Sequence, residues 1–324
     1  AEEVLLDPLQ LEQLTDLGMD DPLPLVALNA GPPGPEARAS RYWLGVLYVH
    51  IVESLRLVSE WPAEHVAVAL IKADGTVLAT HGPQDHPFRL ASVTKLLSAY
   101  AVLIAVEEGA LEWDQPAGPP GSTVRHLISH TSGLAFDSDA VQARPGTRRI
   151  YSNTGFAVLA DAVAKSSGIE FADYLAEAVF TPLGMTSSRL AGAAGAGGIA
   201  SCADLALFAA ELQAPKLIAA QTLTEATRQV AFPGLDGVVP GYGRQRPNDW
   251  GLGFELRDHK DPHWTGRRNS PETFGHFGQS GTFLWVDPVA GLACVALTDK
   301  DFDKWAIEAW PVFTDAVLAE AGGA

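Results

Sequence analysis

The sequence predicts an α/β protein of the α+β type, in which an antiparallel sheet is flanked by terminal helices and a helical lobe is inserted between its strands. Strand patterns lie towards both ends of the chain. The middle of the chain, from about Val93 to Arg244, is rich in Ala and Leu and has helical periodicity. Ligands favour the cleft between two such lobes, so we expect the functional site there.

The composition is that of a folded globular protein, with 324 residues of which 47% are hydrophobic and 19% charged. Twenty-two basic against 39 acidic residues give a net charge of −17, which excludes nucleic acid and anionic membranes as expected partners. The first residues lack the basic and apolar regions of a signal peptide, and this slightly favours a cytoplasmic location. The sequence leaves the oligomeric state open.

The N-terminal region differs from the remainder. Residues 1–40 carry eight acidic groups and one basic group, Arg38, and end in a Pro/Gly-rich run, as expected of an extension closed by a linker. From Arg41 to Glu60, apolar residues recur at helical spacing and predict an amphipathic helix. We therefore expect an extension (1–40), a sheet domain (41–92 with 245–324) and an all-helical domain (93–244).

Four segments have the composition of strands: Val66–Ile71, Thr76–Thr80, Phe283–Val286 and Leu292–Thr298. The first two are joined through Asp74-Gly75, a dipeptide that tolerates the positive φ of a tight hairpin. A last helix is expected over Trp305–Glu320, interrupted near Pro311. In the middle region, helices are expected at Leu96–Val106, Tyr151–Lys165, Phe171–Val179 and Ala203–Leu212.

Several features suggest cofactors or metals only weakly. The stretch Gly195–Gly198 follows no strand and is interpreted as a flexible loop rather than a dinucleotide site. The only cysteines, Cys202 and Cys294, are expected to be small buried hydrophobes, although their spacing leaves a disulfide open. A polar loop holds four residues of metal-ligand type, Asp258, His259, Asp261 and His263, without a recognisable ligand pattern. We expect neither a metal nor an organic cofactor.

The first motif with clear chemistry is Ser92-Val93-Thr94-Lys95, at the start of a long apolar helix. A spacing of three places Ser92 and Lys95 on one helix face. A serine hydroxyl becomes a nucleophile when a neighbouring base takes its proton, and a buried lysine with a lowered pKa can be that base. The N-terminal end of the helix would also direct backbone N–H groups towards a reacting carbonyl.

Two further motifs follow in the chain, Tyr151-Ser152-Asn153 and His276-Phe277-Gly278. One Ser-x-x-Lys pair is unremarkable, because 17 serines and 7 lysines give about 0.4 such pairs by chance. All three motifs in this order are expected on the order of 0.004 times. Coincidence is therefore the weaker explanation.

These three motifs resemble those of the penicillin-recognising serine hydrolases, a superfamily that includes class C β-lactamases, low-molecular-weight penicillin-binding proteins and related esterases. The resemblance runs from about Val66 to Thr298. Flanking segments that share it are Leu127–Leu134, Tyr151–Leu159, Pro182–Met185 and Gly275–Thr282. It implies a β-lactamase-like fold with the site in the cleft between the sheet and the helices.

The resemblance also implies roles for individual residues. Ser92 corresponds to the acylated nucleophile and Lys95 to its base. Tyr151 corresponds to the residue that, as a phenolate or a proton shuttle, serves the leaving group and the hydrolytic water. Asn153 corresponds to the side chain that orients the substrate amide and Lys95.

The third motif implies substrate binding by His276, Phe277 and Gly278, with an oxyanion hole formed by the backbone N–H groups of Ser92 and Gln279. Many family members have Lys-Thr-Gly there, and His-x-Gly is a variant associated with esterases and some peptidases. If a cation is needed at position 276, activity should fall as the pH rises from about 6 to 7.5. Phe277 either packs in the core, on the face opposite the cleft, or faces the cleft and favours an apolar group.

The sequence therefore predicts a serine hydrolase that forms an acyl-enzyme on Ser92 and acts on a small ester or amide. A D-alanyl-D-alanine carboxypeptidase or a β-lactamase is the alternative, with a peptide or β-lactam substrate. From another class, the chain could be a catalytically inactive binding module with the same fold. We interpret His130 as a structural histidine at a helix junction, and Trp250, Trp264 and Trp285 as core or cleft wall.

Overall fold

The computed structural model describes residues 53–322 of the chain. The strands in this part are β1 (Val66–Lys72), β2 (Val77–His81), β3 (Phe88–Arg89), β4 (Arg189–Leu190), β5 (Gly198–Ala200), β6 (Gly237–Val239), β7 (Gly243–Gln245), β8 (Glu255–Leu256), β9 (Phe274–Gly278), β10 (Thr282–Asp287) and β11 (Leu292–Thr298). Six of them form an antiparallel sheet in the order β2-β1-β11-β10-β9-β8. A smaller sheet has the order β3-β5-β4, and β6 pairs with β7.

The α-helices of five or more residues are α1 (Thr94–Glu107), α2 (Val124–Ile128), α3 (Asn153–Ser167), α4 (Phe171–Leu175), α5 (Cys202–Glu211), α6 (Ala220–Arg228) and α7 (Lys304–Gly322). A π-helical turn, Ala176–Phe180, continues α4. Two 3-10 turns lie at Arg56–Glu60 and Ala91–Val93. None of the helices between residues 53 and 322 is both long and apolar enough to cross a membrane.

The predicted hairpins are confirmed. Gly75 has φ +83° in the turn between β1 and β2, and the Thr76 N–H donates to Asp74 Oδ1 at 2.9 Å. β11 has the predicted bounds, and β10 extends the predicted strand by one residue at each end. These predictions succeed because the signals are local: β-branched runs separated by turn residues.

Both faces of the main sheet are covered, and every residue of β10 and β11 is buried. One face packs on α1, α5 and other helices of the middle region through residues such as Ala69 and Val295. The opposite face packs on α7, where the Trp310 ring lies 5.1 Å from the Phe283 ring of β10 and 5.9 Å from the Phe277 ring of β9. A sheet with two buried faces gives nearly continuous apolar strands, as the sequence of β11 shows.

The domain prediction needs correction inside the middle region. Residues 93–244 are not all-helical, because β4, β5 and β6 lie there, and the boundary predicted after residue 244 falls within β7. Strands of two or three residues are too short to produce a recognisable alternation. One helix of this region, α5, packs directly on β1 and β11.

The last helix is also longer and more regular than predicted. α7 continues through Pro311, which removes one backbone N–H donor from the helix. The nearby residues Trp310 and Phe313 are fully buried against the sheet, and this packing offsets the lost hydrogen bond. The predictions for residues 1–40 and for most of the first amphipathic helix lie outside the described residues.

Candidate active site

Ser92 lies in the 3-10 turn that leads directly into α1. Its neighbour Ala91 has φ +44°, a conformation that is unfavourable for a residue with a Cβ. Lys95 is in the first turn of α1, and its Nζ lies 3.3 Å from Ser92 Oγ. The structure therefore brings together the pair that the spacing of three predicted.

Lys95 is completely buried and surrounded by oxygen atoms. Its Nζ donates to Asn153 Oδ1 at 2.6 Å and to the carbonyl oxygen of Gly195 at 2.7 Å. Burial lowers the pKa of Lys95 to about 7, although the Asp137 carboxylate opposes the shift. Near neutral pH a neutral amine can keep both donated hydrogen bonds and direct its lone pair at Ser92 Oγ.

Tyr151 approaches the nucleophile from the other side. Its hydroxyl donates to Ser92 Oγ at 2.7 Å and also lies 3.2 Å from His276 Nε2. Burial raises the pKa of Tyr151 above its usual value, and the hydrogen bond to Ser92 offsets this only in part. Of the two roles considered from the sequence, this environment disfavours the phenolate and favours the protonated shuttle.

The start of α3 holds the second motif in place. Ser152 is the N-cap, and its Oγ accepts from the Gly155 N–H at 2.9 Å. The Ser152 N–H donates to His130 Nδ1 at 3.2 Å, and the His130 ring packs 4.6 Å from the Tyr151 ring. His130 is thus structural, as predicted, and it also positions Tyr151.

His276 lies in β9 and is buried, with 3% of its surface exposed. Its Nδ1–H donates to the carbonyl oxygen of Phe277 at 2.6 Å, so the neutral ring has its lone pair on Nε2, towards Tyr151. Burial, followed by the positive charge of Lys95, lowers the pKa of His276 to about 3. The expectation of a titrating cation at this position between pH 6 and 7.5 is therefore wrong, because the site is desolvated.

Phe277 is part of the core on the far face of β9, and its ring also reaches the edge of the cleft. The ring lies 4.9 Å from the Phe302 ring and 5.9 Å from the Trp310 ring. The alternation of side chains along a strand explains why His276 and Phe277 have different environments. The core interpretation of Phe277 is therefore the main one.

Gly278 and Gln279 lie where β9 meets the turn that holds Ser92. A Cβ on Gly278 would collide with the carbonyl oxygen of Leu90, so only glycine allows this approach. The Gln279 side chain donates from Nε2 to the Phe302 carbonyl at 3.0 Å. Among the described residues, no partner is seen for the backbone N–H of Ser92 or of Gln279, as an oxyanion hole requires.

A cavity of about 110 Å³ opens beside Ser92. Its walls are Phe136, Tyr151, Val238, Val239, Pro240, Trp250, Glu255, His276, Phe277 and Gln279. Trp250 is part of the cleft wall, which is one of its two predicted locations. Its ring packs edge-on against the rings of His130 and His276. Trp264 and Trp285 are buried in the core.

The sequence matches the family model described as Beta-lactamase over residues 57–313. The chain belongs to the β-lactamase family. A β-lactamase from Mycobacterium bovis with a known crystal structure is 59% identical to this chain in sequence. The two structures match with a TM-score of 0.81 over 83% of this chain and 99% of that one. These similarities establish the penicillin-recognising serine hydrolases as the superfamily and the β-lactamase-like fold as the architecture.

Curated relatives of this β-lactamase family member match over shorter stretches. Penicillin-binding protein 4* of Bacillus subtilis is 31% identical over 136 residues, which is 32% of this chain and 30% of that protein. The D-alanyl-D-alanine-carboxypeptidase/endopeptidase AmpH of Escherichia coli is 26% identical over 38% of this chain and 44% of that protein. The chain thus spans less than half the length of these two relatives.

Three contributors to the site in this family member were missed by sequence reasoning. Asp137 accepts from Asn153 Nδ2 at 2.8 Å, and Gly195, from the predicted flexible loop, holds Lys95 through its carbonyl oxygen. The third is Glu255, a buried carboxylate in the cavity wall. A loop carbonyl and a solitary acidic residue carry no motif, so no sequence signal could have identified them.

Glu255 is held in a buried cluster of charges. Its Oε1 lies 3.4 Å from Lys260 Nζ and 3.3 Å from His263 Nε2, and its Oε2 accepts from Trp264 Nε1 at 2.8 Å. Burial alone would raise the pKa of Glu255, but Lys260 and His263 outweigh it and hold this pKa well below its usual range. His263, one of the four residues of metal-ligand type in the sequence, therefore has its Nε2 engaged with Glu255.

The two cysteines, and a further group of residues that could bind a metal, are not part of the cleft wall. Cys202 and Cys294 are both buried and free, as small hydrophobes, which settles the question of their pairing. Just before the start of β1 and just after the end of β11, ligand atoms of Glu64, His65 and Asp299 lie within 4.8 Å of one another. There the His65 Nδ1 hydrogen bond to Asp299 Oδ2, at 2.8 Å, already uses one of these atoms.

Proposed function

We propose that this protein is a serine hydrolase that forms an acyl-enzyme on Ser92 and hydrolyses a small ester or amide. One observation carries the proposal: Ser92 Oγ lies within hydrogen-bonding distance of both Lys95 Nζ, at 3.3 Å, and Tyr151 Oη, at 2.7 Å. A base on one side and a proton donor on the other are the groups that acyl transfer requires.

In the acylation step, the neutral amine of Lys95 takes the Ser92 proton while Oγ attacks the substrate carbonyl. The carbonyl oxygen becomes an oxyanion and accepts hydrogen bonds from the backbone N–H groups of Ser92 and Gln279. Asn153 and Gly195 hold Lys95 in place and stabilise its charge once it becomes an ammonium ion.

Collapse of the tetrahedral intermediate breaks the bond to the leaving group, which takes a proton from Tyr151. The tyrosine then recovers a proton from the Lys95 ammonium, which restores both groups to their starting states. In deacylation, water attacks the acyl group and Tyr151 with Lys95 relays its proton back to Ser92 Oγ. The raised pKa of Tyr151 and the lowered pKa of Lys95 support this direction of transfer.

A second candidate function is supported by the relatives. The 59% identical structure is described as a β-lactamase, and AmpH is named a carboxypeptidase and endopeptidase. A β-lactam or a D-alanyl-D-alanine peptide is therefore the alternative substrate. The esterase is preferred because His276 is neutral and offers no positive charge to the carboxylate that both of these substrates carry.

Intact-protein mass spectrometry after exposure to a fluorophosphonate, and separately to a penicillin, tests the proposal. Ser92→Ala is the control, and peptide mapping locates the adduct. A fluorophosphonate adduct alone, confined to Ser92, supports the esterase. A penicillin adduct on Ser92 favours the second candidate, and no adduct from either reagent favours the inactive binding module and overturns the proposal.

A further inference from the structure

The cleft beside Ser92 is lined mostly by apolar residues. Its apolar wall consists of Phe136, Val238, Val239, Pro240, Trp250 and Phe277. Tyr151, His276, Gln279 and the Glu255 carboxylate line the cavity as well, and the Tyr151 hydroxyl lies within hydrogen-bonding distance of Ser92 and His276. A substrate bound with its carbonyl at Ser92 would therefore have an apolar surface on which to place one of its substituents.

The apolar wall extends to the protein surface through two side chains. Phe136 and Val238 are 50% and 59% exposed, although most large hydrophobic residues of the described chain are buried. Phe136 also stacks on the Tyr151 ring, with centroids 5.9 Å apart. An alkyl chain leaving the cavity between them would cover apolar surface that is otherwise in contact with water.

The cleft wall provides no cation for a substrate carboxylate. Among the described residues that line the cavity none is lysine or arginine, and the one ionised side chain is the Glu255 carboxylate. The two nearby lysines already have partners: Lys95 Nζ contacts Ser92, Asn153 and Gly195. Lys260 Nζ contacts Glu255 and the carbonyl oxygens of Asp249 and Leu256. An unpaired carboxylate in such a site is strongly disfavoured.

We propose that the apolar wall from Trp250 to Phe136 and Val238 is an acyl-chain site, which takes neutral esters with an unbranched alkyl acyl group and rejects acyl groups that end in a carboxylate. This inference rests on the proposed acyl transfer at Ser92. The first carbons of the chain would lie in the cavity of about 110 Å³ beside Ser92. Longer chains would continue past Phe136 and Val238.

The acyl-chain site is tested by kcat/KM for the p-nitrophenyl esters of acetate, butyrate and hexanoate, and for the hemisuccinate, an anionic acyl group of butyrate size. We expect kcat/KM to rise about fourfold for each methylene up to butyrate, which corresponds to its burial from water. The hemisuccinate should react at least a hundredfold more slowly than the butyrate.

Two variants locate the effect. Val238→Asp should abolish most of the advantage of butyrate and hexanoate over acetate, and Val238→Lys should raise the rate of the hemisuccinate relative to butyrate. The matched control is Val312→Asp, because Val312 is also an exposed valine, at 61%, but lies on α7 outside the cleft wall. The Val312→Asp variant should show the same dependence of kcat/KM on acyl chain length as the wild type.

The outcomes separate this inference from the proposed function. A Ser92 fluorophosphonate adduct together with a flat chain-length series, or with equal rates for hemisuccinate and butyrate, overturns the acyl-chain site and leaves the hydrolase intact. If no ester is turned over, titration calorimetry of Ser92→Ala with methyl ketones of increasing length still tests the site. Affinity that rises with chain length and falls in Val238→Asp supports it, and affinity independent of length overturns it.

Discussion

The Tyr151 hydroxyl lies 3.2 Å from Nε2 of His276, a nitrogen that can only accept a hydrogen bond from it. The direction is set by the other ring nitrogen, which donates to the Phe277 carbonyl oxygen at 2.6 Å. The single phenolic proton of Tyr151 is thus shared between two acceptors, His276 Nε2 and Ser92 Oγ at 2.7 Å. A neutral histidine at this position assists Tyr151 as a hydrogen-bond acceptor, a role that a lysine ammonium cannot fill.

Substitution of His276 tests this role as an acceptor. His276→Leu removes the acceptor and should lower kcat/KM for a neutral ester about 10- to 100-fold. His276→Asn restores an acceptor oxygen and should recover part of the loss. Equal rates in the wild type and in His276→Leu would show that the nitrogen has no part in the reaction.

The dependence of activity on pH should follow Lys95. The pKa of Lys95 is lowered to about 7 by burial, and its neutral form is the proposed base. We expect kcat/KM for a neutral ester to rise by about tenfold per pH unit below 7 and to level off above it. A rate that instead falls between pH 6 and 7.5 would indicate that a protonated group, such as a charged His276, is the active form.

Asp137 should set the position of this pH profile. Its negative charge raises the pKa of Lys95 against the effect of burial, so Asp137→Asn lowers that pKa and moves the rise in activity to lower pH. Because Asp137 is exposed and screened by solvent, the gain in rate at pH 6 should be below about tenfold. Asp139→Asn removes the same charge from an exposed residue of the same loop, and its profile should match the wild type.

The free energy of unfolding should decrease as the pH falls below about 6.5. The pKa of His276 is lowered to about 3 in the folded state, and burial also lowers the pKa of His130 and of His263. Below the ordinary histidine pKa the unfolded chain binds protons that the folded protein does not, and each such residue costs about 1 kcal/mol per pH unit down to its folded pKa.

Urea unfolding at pH 7.5, 6 and 5 measures this loss of stability. The low pKa of Glu255 in the folded state acts in the same direction, and its stabilising contribution is lost as the pH falls below the ordinary carboxyl range. A free energy of unfolding that stays constant from pH 7.5 to 5 would contradict neutral burial of these histidines.

Much of the fold could be predicted from local patterns. The hairpin at Asp74-Gly75 and the strand β11 follow from the composition of a few consecutive residues. The short strands β4 to β7 could not be predicted, because two or three residues are too few to show an alternation. Likewise, packing of Trp310 and Phe313 decides that α7 continues through Pro311.

By itself, the sequence determined the reactive groups of the site: Ser92 and Lys95 one turn apart, then the motifs of Tyr151 and His276. Only the tertiary structure decided the protonation states of these groups, because a pKa depends on burial and on charges brought close by folding. Gly195 and Lys95 are 100 positions apart in the chain, yet their contact helps to hold the proposed base. Desolvation lowers the pKa of His276 to about 3, far from the value that its residue type suggests.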